Sequence, residues 1–379
     1  MIYLDNSATT KPNTDVMNSF QQVSATFFAN PSSIHALGGQ VEKLFMTARQ
    51  QAAELLKVHQ NEIVFTAGGT EGNNMAIKGV ALEHQNRGKH IITTEIEHPS
   101  VFEACKSLEN LGFDVTYLSV SEQGVISLDE LETAIRKDTI LISVMHINNE
   151  TGTIQPIQEI GEIAKKHPRL LFHVDDVQGL GKVPLELNNS GIDLCTYSAH
   201  KIHGLKGSGI LYVNNRTKIY PLFHGGDQEH ALRSGTENVA GAVAMVKALR
   251  LIKEKEKMEI DRLYGLRNLL HQELQNIDDV IINTPEDGAP HIMNFSVPGS
   301  KPEVMIHMLG EKDVFISTKS ACSSKEKDES RVLAACGFSK DITTSALRVS
   351  LSYDTTKEEI EFFLHELQSA IVQFKQVMG

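Results

Sequence analysis

Apolar positions along the chain alternate between helical and strand-like spacing. Between residues 40 and 56 they recur at the helical period, and residues 62–65 then form a short apolar run typical of a buried strand. Six similar runs follow, separated by amphipathic stretches, at residues 90–94, 115–118, 140–145, 170–174, 193–197 and 209–213. This order predicts an α/β fold whose large domain has a mainly parallel sheet of the seven-stranded type.

The pattern changes after residue 238. Residues 238–276 are helical in periodicity and rich in Lys and Glu, which suits a helix that joins two domains and exposes one face. Beyond it, strand-like runs alternate with helical stretches that start near residues 302 and 356; these strand-like runs are 291–297, 314–317 and 347–351. The C-terminal part is therefore expected to form a smaller α+β domain.

Composition narrows the class of protein. The chain has 379 residues, of which 41% are hydrophobic, so two cores are expected. A net charge of −12 disfavours general nucleic-acid binding. No apolar stretch suits a bilayer span, and the N-terminus enters a strand-like run without a signal peptide, which predicts a cytoplasmic protein without direct membrane contact. The scattered cysteines predict free thiols and no structural metal site.

Lys201 and Asp175 suggest a pyridoxal phosphate (PLP) site. This cofactor requires a lysine to bind its aldehyde and an acid to keep its ring nitrogen protonated. Asp175 follows the apolar run 170–174, so its carboxylate is expected at the C-terminal end of a strand, where open α/β sheets bind ligands. Taken separately, the aspartate would also suit a helix cap and the lysine a solvated surface charge. Together they favour the cofactor.

Two loops carry further candidate chemistry. Residues 68–74 join a strand to a helix, where glycines and a helix N-terminus suit a phosphate, although an ordinary turn capped by Thr70 would have the same pattern. Cys322 lies in a polar loop of small residues, where a cysteine has no apolar face to fill. Nearby Lys319, Lys325 and Lys327 would favour its thiolate, so we expect Cys322 to be a nucleophile.

Almost the whole chain resembles the cysteine desulfurases, homodimeric enzymes of the aminotransferase class V group. The segments that carry the resemblance are residues 3–10, 30–35, 65–71, 97–98, 148–150, 233–236 and 320–324. The resemblance implies a PLP-dependent transferase of fold type I. It also implies that residues 1–14 join residues 256–379 in the small domain, which carries the cysteine loop, while residues 15–255 form the large, PLP-binding domain.

The resemblance assigns further roles to individual residues. It implies that His98 stacks on the cofactor ring and moves protons, that Gln178 and Asn149 hold the ring, and that Arg348 binds the substrate carboxylate. Without the resemblance, a protein acid would be an equally good partner for Arg348. The remaining implied contacts are to the phosphate, from Gly69, Thr70, Ser198, His200 and, from a second subunit, Thr236, and to the substrate, from Asn30 and His35.

The implied reaction takes sulfur from L-cysteine. Lys201 removes the α-proton, Cys322 attacks the substrate sulfur, alanine is released, and the resulting persulfide passes to an iron–sulfur scaffold or a tRNA-thiolating enzyme. The long polar loop around Cys322 resembles the branch of the family whose loop carries sulfur to partners. Alternatives are a selenocysteine lyase, another class V aminotransferase, or a non-catalytic PLP-binding scaffold.

Four positions depart from the family pattern. Asp176 stands where a small residue is usual. Asp227 and Lys319 each stand where glycine is usual, and Leu205 stands where proline is usual. A second carboxylate beside Asp175 would be unfavourable near the cofactor unless it points away, as alternation along an extended segment allows.

Overall fold

The computed structural model describes residues 1–318 and 329–378. The twelve strands of these residues are β1 Ile2–Tyr3, β2 Ile63–Thr66, β3 His90–Thr94, β4 Asp114–Leu118, β5 Thr139–Met145, β6 Leu171–Asp175, β7 Leu194–Ser198, β8 Gly209–Val213, β9 Ile281–Ile282, β10 Ile292–Ser296, β11 Val314–Phe315 and β12 Ala346–Ser350. The eleven α-helices in the same ranges are α1 Thr14–Thr26, α2 Ala36–Leu56, α3 Gly69–His84, α4 Pro99–Glu109, α5 Leu128–Ala134, α6 Ile157–Lys165, α7 Val239–Gln275, α8 Pro302–Gly310, α9 Arg331–Ala335, α10 Lys340–Thr343 and α11 Lys357–Met378.

A seven-stranded sheet forms the centre of the larger part, which confirms the predicted α/β class. Its strand order is β2-β8-β7-β6-β5-β3-β4. All neighbours are parallel except for β8, which is antiparallel to both β2 and β7. Because β3, β5, β6 and β7 run in one direction, their carboxyl ends meet at one edge, and the residues that follow them are brought together there.

The strands consist mainly of apolar, β-branched side chains because both faces of the sheet are covered. Every residue of β2, β3, β5, β7 and β8 is buried. Continuous apolar runs of this kind are typical of parallel sheets with helices on both faces. Helix α3 packs against one face and contacts β5, β6, β7 and β8.

The C-terminal part contains a three-stranded antiparallel sheet in the order β12-β10-β9. The N-terminal segment lies against this region: β1 pairs with β11, and Asp5 forms a bridge with Ser350. The division into residues 15–255 and 1–14 with 256–379 stays a prediction, and its boundary after residue 255 falls inside the continuous helix α7. Within the described ranges, no helix combines the length and apolarity that a membrane span requires.

Candidate active site

A cavity of about 150 Å³ opens at the carboxyl edge of the parallel strands. It brings together ten of the residues that the sequence predicts for the site. They are Gly69, Thr70, His98, Asn149, Asp175, Gln178, Ser198, His200, Lys201 and Arg348. These residues come from widely separated parts of the chain, so the topology of the sheet, and not local sequence, assembles the cavity.

Three other predicted residues do not line this cavity within their own chain. Asn30 and His35 are exposed, and the His35 imidazole caps α2 by accepting a hydrogen bond from the Gly38 amide. Thr236 is also exposed. Cys322 lies outside the described residues, as do the lysines predicted to surround it.

Asp175 and Lys201 are held by the backbone close to the sheet. Asp175 is the last residue of β6, and its two carboxylate oxygens accept hydrogen bonds from the Val177 amide at 3.1 Å and from Asn73 Nδ2 at 2.7 Å. Lys201 ends a short 3-10 turn directly after β7, and its ammonium group donates to the carbonyl oxygens of Ser7 and Ala8. The N-terminal segment thus forms one wall of the cavity.

One end of the cavity is suited to an anion. Helix α3 begins at Gly69, after Gly68 at φ 145°, a conformation that favours glycine, and no described side chain caps this helix. A Cβ on Gly69 would lie 2.9 Å from the Val177 side chain, so a larger residue here would displace Val177. The first-turn amides and helix dipole therefore favour a negatively charged group. Burial, followed by the charge of Lys201, lowers the pKa of nearby His200 to about 4.

Five buried polar atoms of residues that line this cavity lack partners within the described part of the chain. They are Ser7 Oγ, Asn73 Oδ1, Gln178 Oε1, Ser198 Oγ and Arg348 Nε. Buried polar atoms without a hydrogen bond are unfavourable in a folded protein and often indicate a missing ligand. A phosphate oxygen would accept from the serine hydroxyl, and a hydroxyl group would donate to the glutamine oxygen.

Arg348 on β12 is 1% exposed. It pairs with a protein acid, Asp5, which is one of the two kinds of partner that the sequence allowed. Its guanidinium donates to Asp5 Oδ1 at 3.1 Å, to Ser317 Oγ at 2.7 Å and to the Asn149 carbonyl at 2.7 Å. Its Nε has no partner among the residues that the structure describes. The arginine is therefore fixed by the protein through three of its five N–H donors, and two remain, the Nε–H and one hydrogen of the nitrogen that donates to Asn149.

Asp176 points away from the cavity, as the alternation of an extended segment allows. Its Oδ1 lies 2.6 Å from Nδ1 of the buried His146, and its side chain lines a separate cavity on the far side of β6. The second carboxylate is thus compensated by a histidine. Of the other departures, Asp227 precedes a short 3-10 turn and Leu205 packs on the main core, and Lys319 is outside the described residues.

Sequence reasoning missed several residues that support the site. Asn73 and Ser100 line the cavity beside His98, and Ser7 and Ala8 contact Lys201. Polar residues at the starts of α3 and α4 were a usable signal for the first two, because helix starts at the carboxyl edge point toward the ligand. No local pattern identifies Ser7 and Ala8, which meet Lys201 only after the chain folds.

Glu97 is a buried carboxyl group behind the cavity. Its Oε1 accepts hydrogen bonds from the Met145 amide and the Thr94 hydroxyl, both at 2.9 Å. Burial raises the pKa of Glu97 from 4.5 to about 8; the charge of Asp175 raises it further, while these hydrogen bonds and Arg331 oppose the shift. Since the folded pKa exceeds the unfolded value, stability falls as the pH rises from about 4.5 to about 8.

Glu97→Gln is therefore expected to stabilise the protein at about pH 8, by at most about 5 kcal/mol, and to have little effect near about pH 5. Glutamine keeps the oxygen that accepts from Met145 and Thr94 and carries no charge. Urea unfolding at both pH values measures the difference. The exposed neighbour Glu95 provides the control, Glu95→Gln. A variant less stable than the wild type at about pH 8 would show that Glu97 is charged in the folded state.

Comparison with known proteins agrees with this geometry. The family model for aminotransferase class-V matches residues 2–363. A "NifS/IcsS protein homolog" from Lactobacillus delbrueckii subsp. bulgaricus is 44% identical over 100% of this chain and 99% of its own length. The cysteine desulfurase IscS of Dictyoglomus turgidum is 43% identical over 99% of this chain and 96% of its own length. A solved structure described as a NifS-like protein has a TM-score of 0.93 at 36% identity, covering 98% of this chain and 99% of that chain.

The fold and the cavity define a class of enzyme in which a lysine and an aspartate meet at the carboxyl edge of an open α/β sheet. The chain belongs to the aminotransferase class-V family, whose members use PLP. Within that family it belongs to the cysteine desulfurases of the NifS and IscS type.

Proposed function

We propose that the protein removes sulfur from L-cysteine, releases L-alanine and retains the sulfur as a persulfide on Cys322. The observation that carries this function is the cavity in which Lys201, Asp175, His98 and Arg348 meet, in a chain with cysteine desulfurase relatives over nearly its full length. An amine, a ring-nitrogen partner and a carboxylate-binding cation are the groups that PLP chemistry on an amino acid needs.

The cavity suits PLP. In this proposal Asp175 holds the ring nitrogen and Lys201 the aldehyde, and His98 lies on the ring face with Asn149 beside it. Gln178 Oε1 would accept from the phenolic group in its protonated form, and the Ser198 hydroxyl would donate to the phosphate. Gly69, Thr70 and His200 complete the phosphate end. When bound, the cofactor accepts the electrons released by the substrate as its α-proton leaves.

Each protein group then has a defined task. The Arg348 guanidinium, fixed by Asp5 and Asn149, binds the substrate carboxylate through its remaining donors. The amine of Lys201 takes the α-proton. The Cys322 thiolate attacks the substrate sulfur, so that an S–S bond forms as the C–S bond breaks, and the electron pair remains on the carbon skeleton, which is protonated to alanine.

We also propose that the enzyme works as a homodimer. Thr236 is exposed and does not line the cavity of its own chain, which suits a contact with the phosphate in the second subunit. Asn30 and His35 belong to the substrate entrance in this proposal. The persulfide passes to an acceptor, either an iron–sulfur scaffold or a tRNA-thiolating enzyme. A reducing cytoplasm suits this transfer because it keeps the acceptor thiols free.

The test is a product assay on the PLP-loaded protein. With L-cysteine and a thiol reductant, alanine and sulfide are expected in equal amounts. With L-selenocysteine as the competing substrate, a selenocysteine lyase would turn over only the selenium compound. Keto acid in place of alanine would indicate an aminotransferase, and no product from either substrate would indicate a binding scaffold; each of these results contradicts the proposal.

A further inference from the structure

Hydrogen bonds connect Asp175 to the half-buried His98 through the buried side chains of Asn73 and Ser100. Asn73 Nδ2 lies 2.7 Å from Asp175 Oδ2 and 2.9 Å from Ser100 Oγ. Ser100 Oγ lies 2.8 Å from His98 Nδ1. Asn73 is 1% exposed and Asp175 is 5% exposed, so these contacts are shielded from water. These hydrogen bonds therefore link Asp175 and His98, two groups of the proposed cofactor site. The link runs through Asn73 and Ser100, to which the proposed reaction assigns no role.

The direction of each hydrogen bond follows from the capacity of each group. Asp175 Oδ2 accepts, so the amide group that faces it must be the NH₂ of Asn73. The same NH₂ gives its second hydrogen to Ser100 Oγ. Because the serine oxygen accepts this bond, its own hydrogen is available for His98 Nδ1. The imidazole nitrogen is thus an acceptor.

The backbone gives the same answer independently. His98 is the N-cap of α4, and its Nδ1 accepts a hydrogen bond from the Ser100 amide at 3.1 Å. A backbone N–H cannot reverse its direction, so Nδ1 must present a lone pair. The ring proton of a neutral His98 consequently lies on Nε2, the nitrogen left for the cavity that His98 lines.

This capped ring resists a change of protonation. A proton on Nδ1 would face two donors and break the helix cap, so the tautomer with its proton on Nε2 is favoured at rest. Burial lowers the pKa of His98, and Lys201 and Arg331 act in the same direction while Asp175 opposes them. These groups together favour the neutral ring near neutral pH.

We propose that Asn73 and Ser100 are positioning residues that hold His98 neutral and protonated at Nε2, so that the ring presents a fixed N–H donor to the cavity. This inference rests on the proposed function for its catalytic meaning. The fixed tautomer places one proton on the nitrogen that is left for the cavity, which gives an orientation to the role in proton movement that the resemblance implies for His98.

The direct test is ¹⁵N NMR of the PLP-loaded protein with labelled histidine, recorded without substrate. The His98 signals are assigned by their loss in His98→Gln. We expect a pyridine-type Nδ1 and a pyrrole-type Nε2 that do not titrate between about pH 6 and about pH 9. A pyrrole-type Nδ1, or a His98 that titrates in this range, overturns the proposal. Because no turnover is needed, the result is independent of the proposed desulfurase activity.

Variants test the two positioning residues. Asn73→Leu removes both donated hydrogen bonds, and Ser100→Ala removes the hydroxyl while leaving the backbone amide. Both are expected to shift the His98 signals, and Asn73→Leu to lower kcat about 10- to 100-fold with little change in KM. The control is Ser107→Ala on the same helix, whose hydroxyl donates to the Ala104 carbonyl. Variants with wild-type His98 signals would show that the chain does not set the state of the ring.

Discussion

Replacement of Lys201 by alanine is expected to lower desulfurase activity by about 10⁴-fold or more. The amine both binds the cofactor aldehyde and moves the α-proton in the proposed reaction, and no other described amine lines the cavity. The measurement is alanine formation at saturating L-cysteine, together with the absorbance of the cofactor. We expect the variant to lose the absorbance of the lysine-bound cofactor.

The matched control for this prediction is Lys218→Ala, because Lys218 is exposed and does not line the cavity. Its activity and cofactor spectrum should equal those of the wild type. A Lys201→Ala variant that retains turnover would show that another amine performs the chemistry, and the proposed site would then be wrong.

Replacement of Cys322 by alanine is expected to abolish sulfide and persulfide formation while leaving PLP bound. The predicted nucleophile accepts sulfur directly, so its loss removes a bond-forming step and not merely a favourable contact. Mass spectrometry of the protein after a single turnover should show one added sulfur on the wild type and none on the variant. The PLP spectrum should be the same in both.

Cys336→Ala provides a matched control, because Cys336 is a buried thiol whose pKa is raised to about 12, chiefly by burial. Such a thiol is almost wholly protonated near neutral pH and is a poor nucleophile. The wild-type yield is therefore expected from this variant. An added sulfur on Cys322→Ala would place the acceptor thiol elsewhere.

The sequence predicted the sheet well because apolar runs report burial. The runs 90–94 and 209–213 coincide with β3 and β8, and most other runs differ from their strands by one residue at one or both ends. Those ends depend on hydrogen-bond partners in neighbouring strands, which a local pattern does not contain. The position of Asp175 at the end of β6 followed from the same apolar run.

The supporting contacts of the site were less predictable. Arg348 meets Asp5 across 343 residues of sequence, and Asn73 joins Asp175 across 102. Local periodicity carries no information about such pairs. The roles of Cys322 and Thr236 stay predictions, because they depend on a loop outside the described residues and on a second subunit.

The contact between the N-terminal segment and β12 has a consequence for biosynthesis. Asp5 and Asn6 are made 343 and 344 residues before their partners Arg348 and Ser350. At about 5–20 residues per second, the ribosome needs roughly 20–70 s to make the chain between them. All strands of the central sheet precede β12 in the chain, so the N-terminal wall beside Lys201 gains its contacts with β12 only after the residues of that sheet have been made.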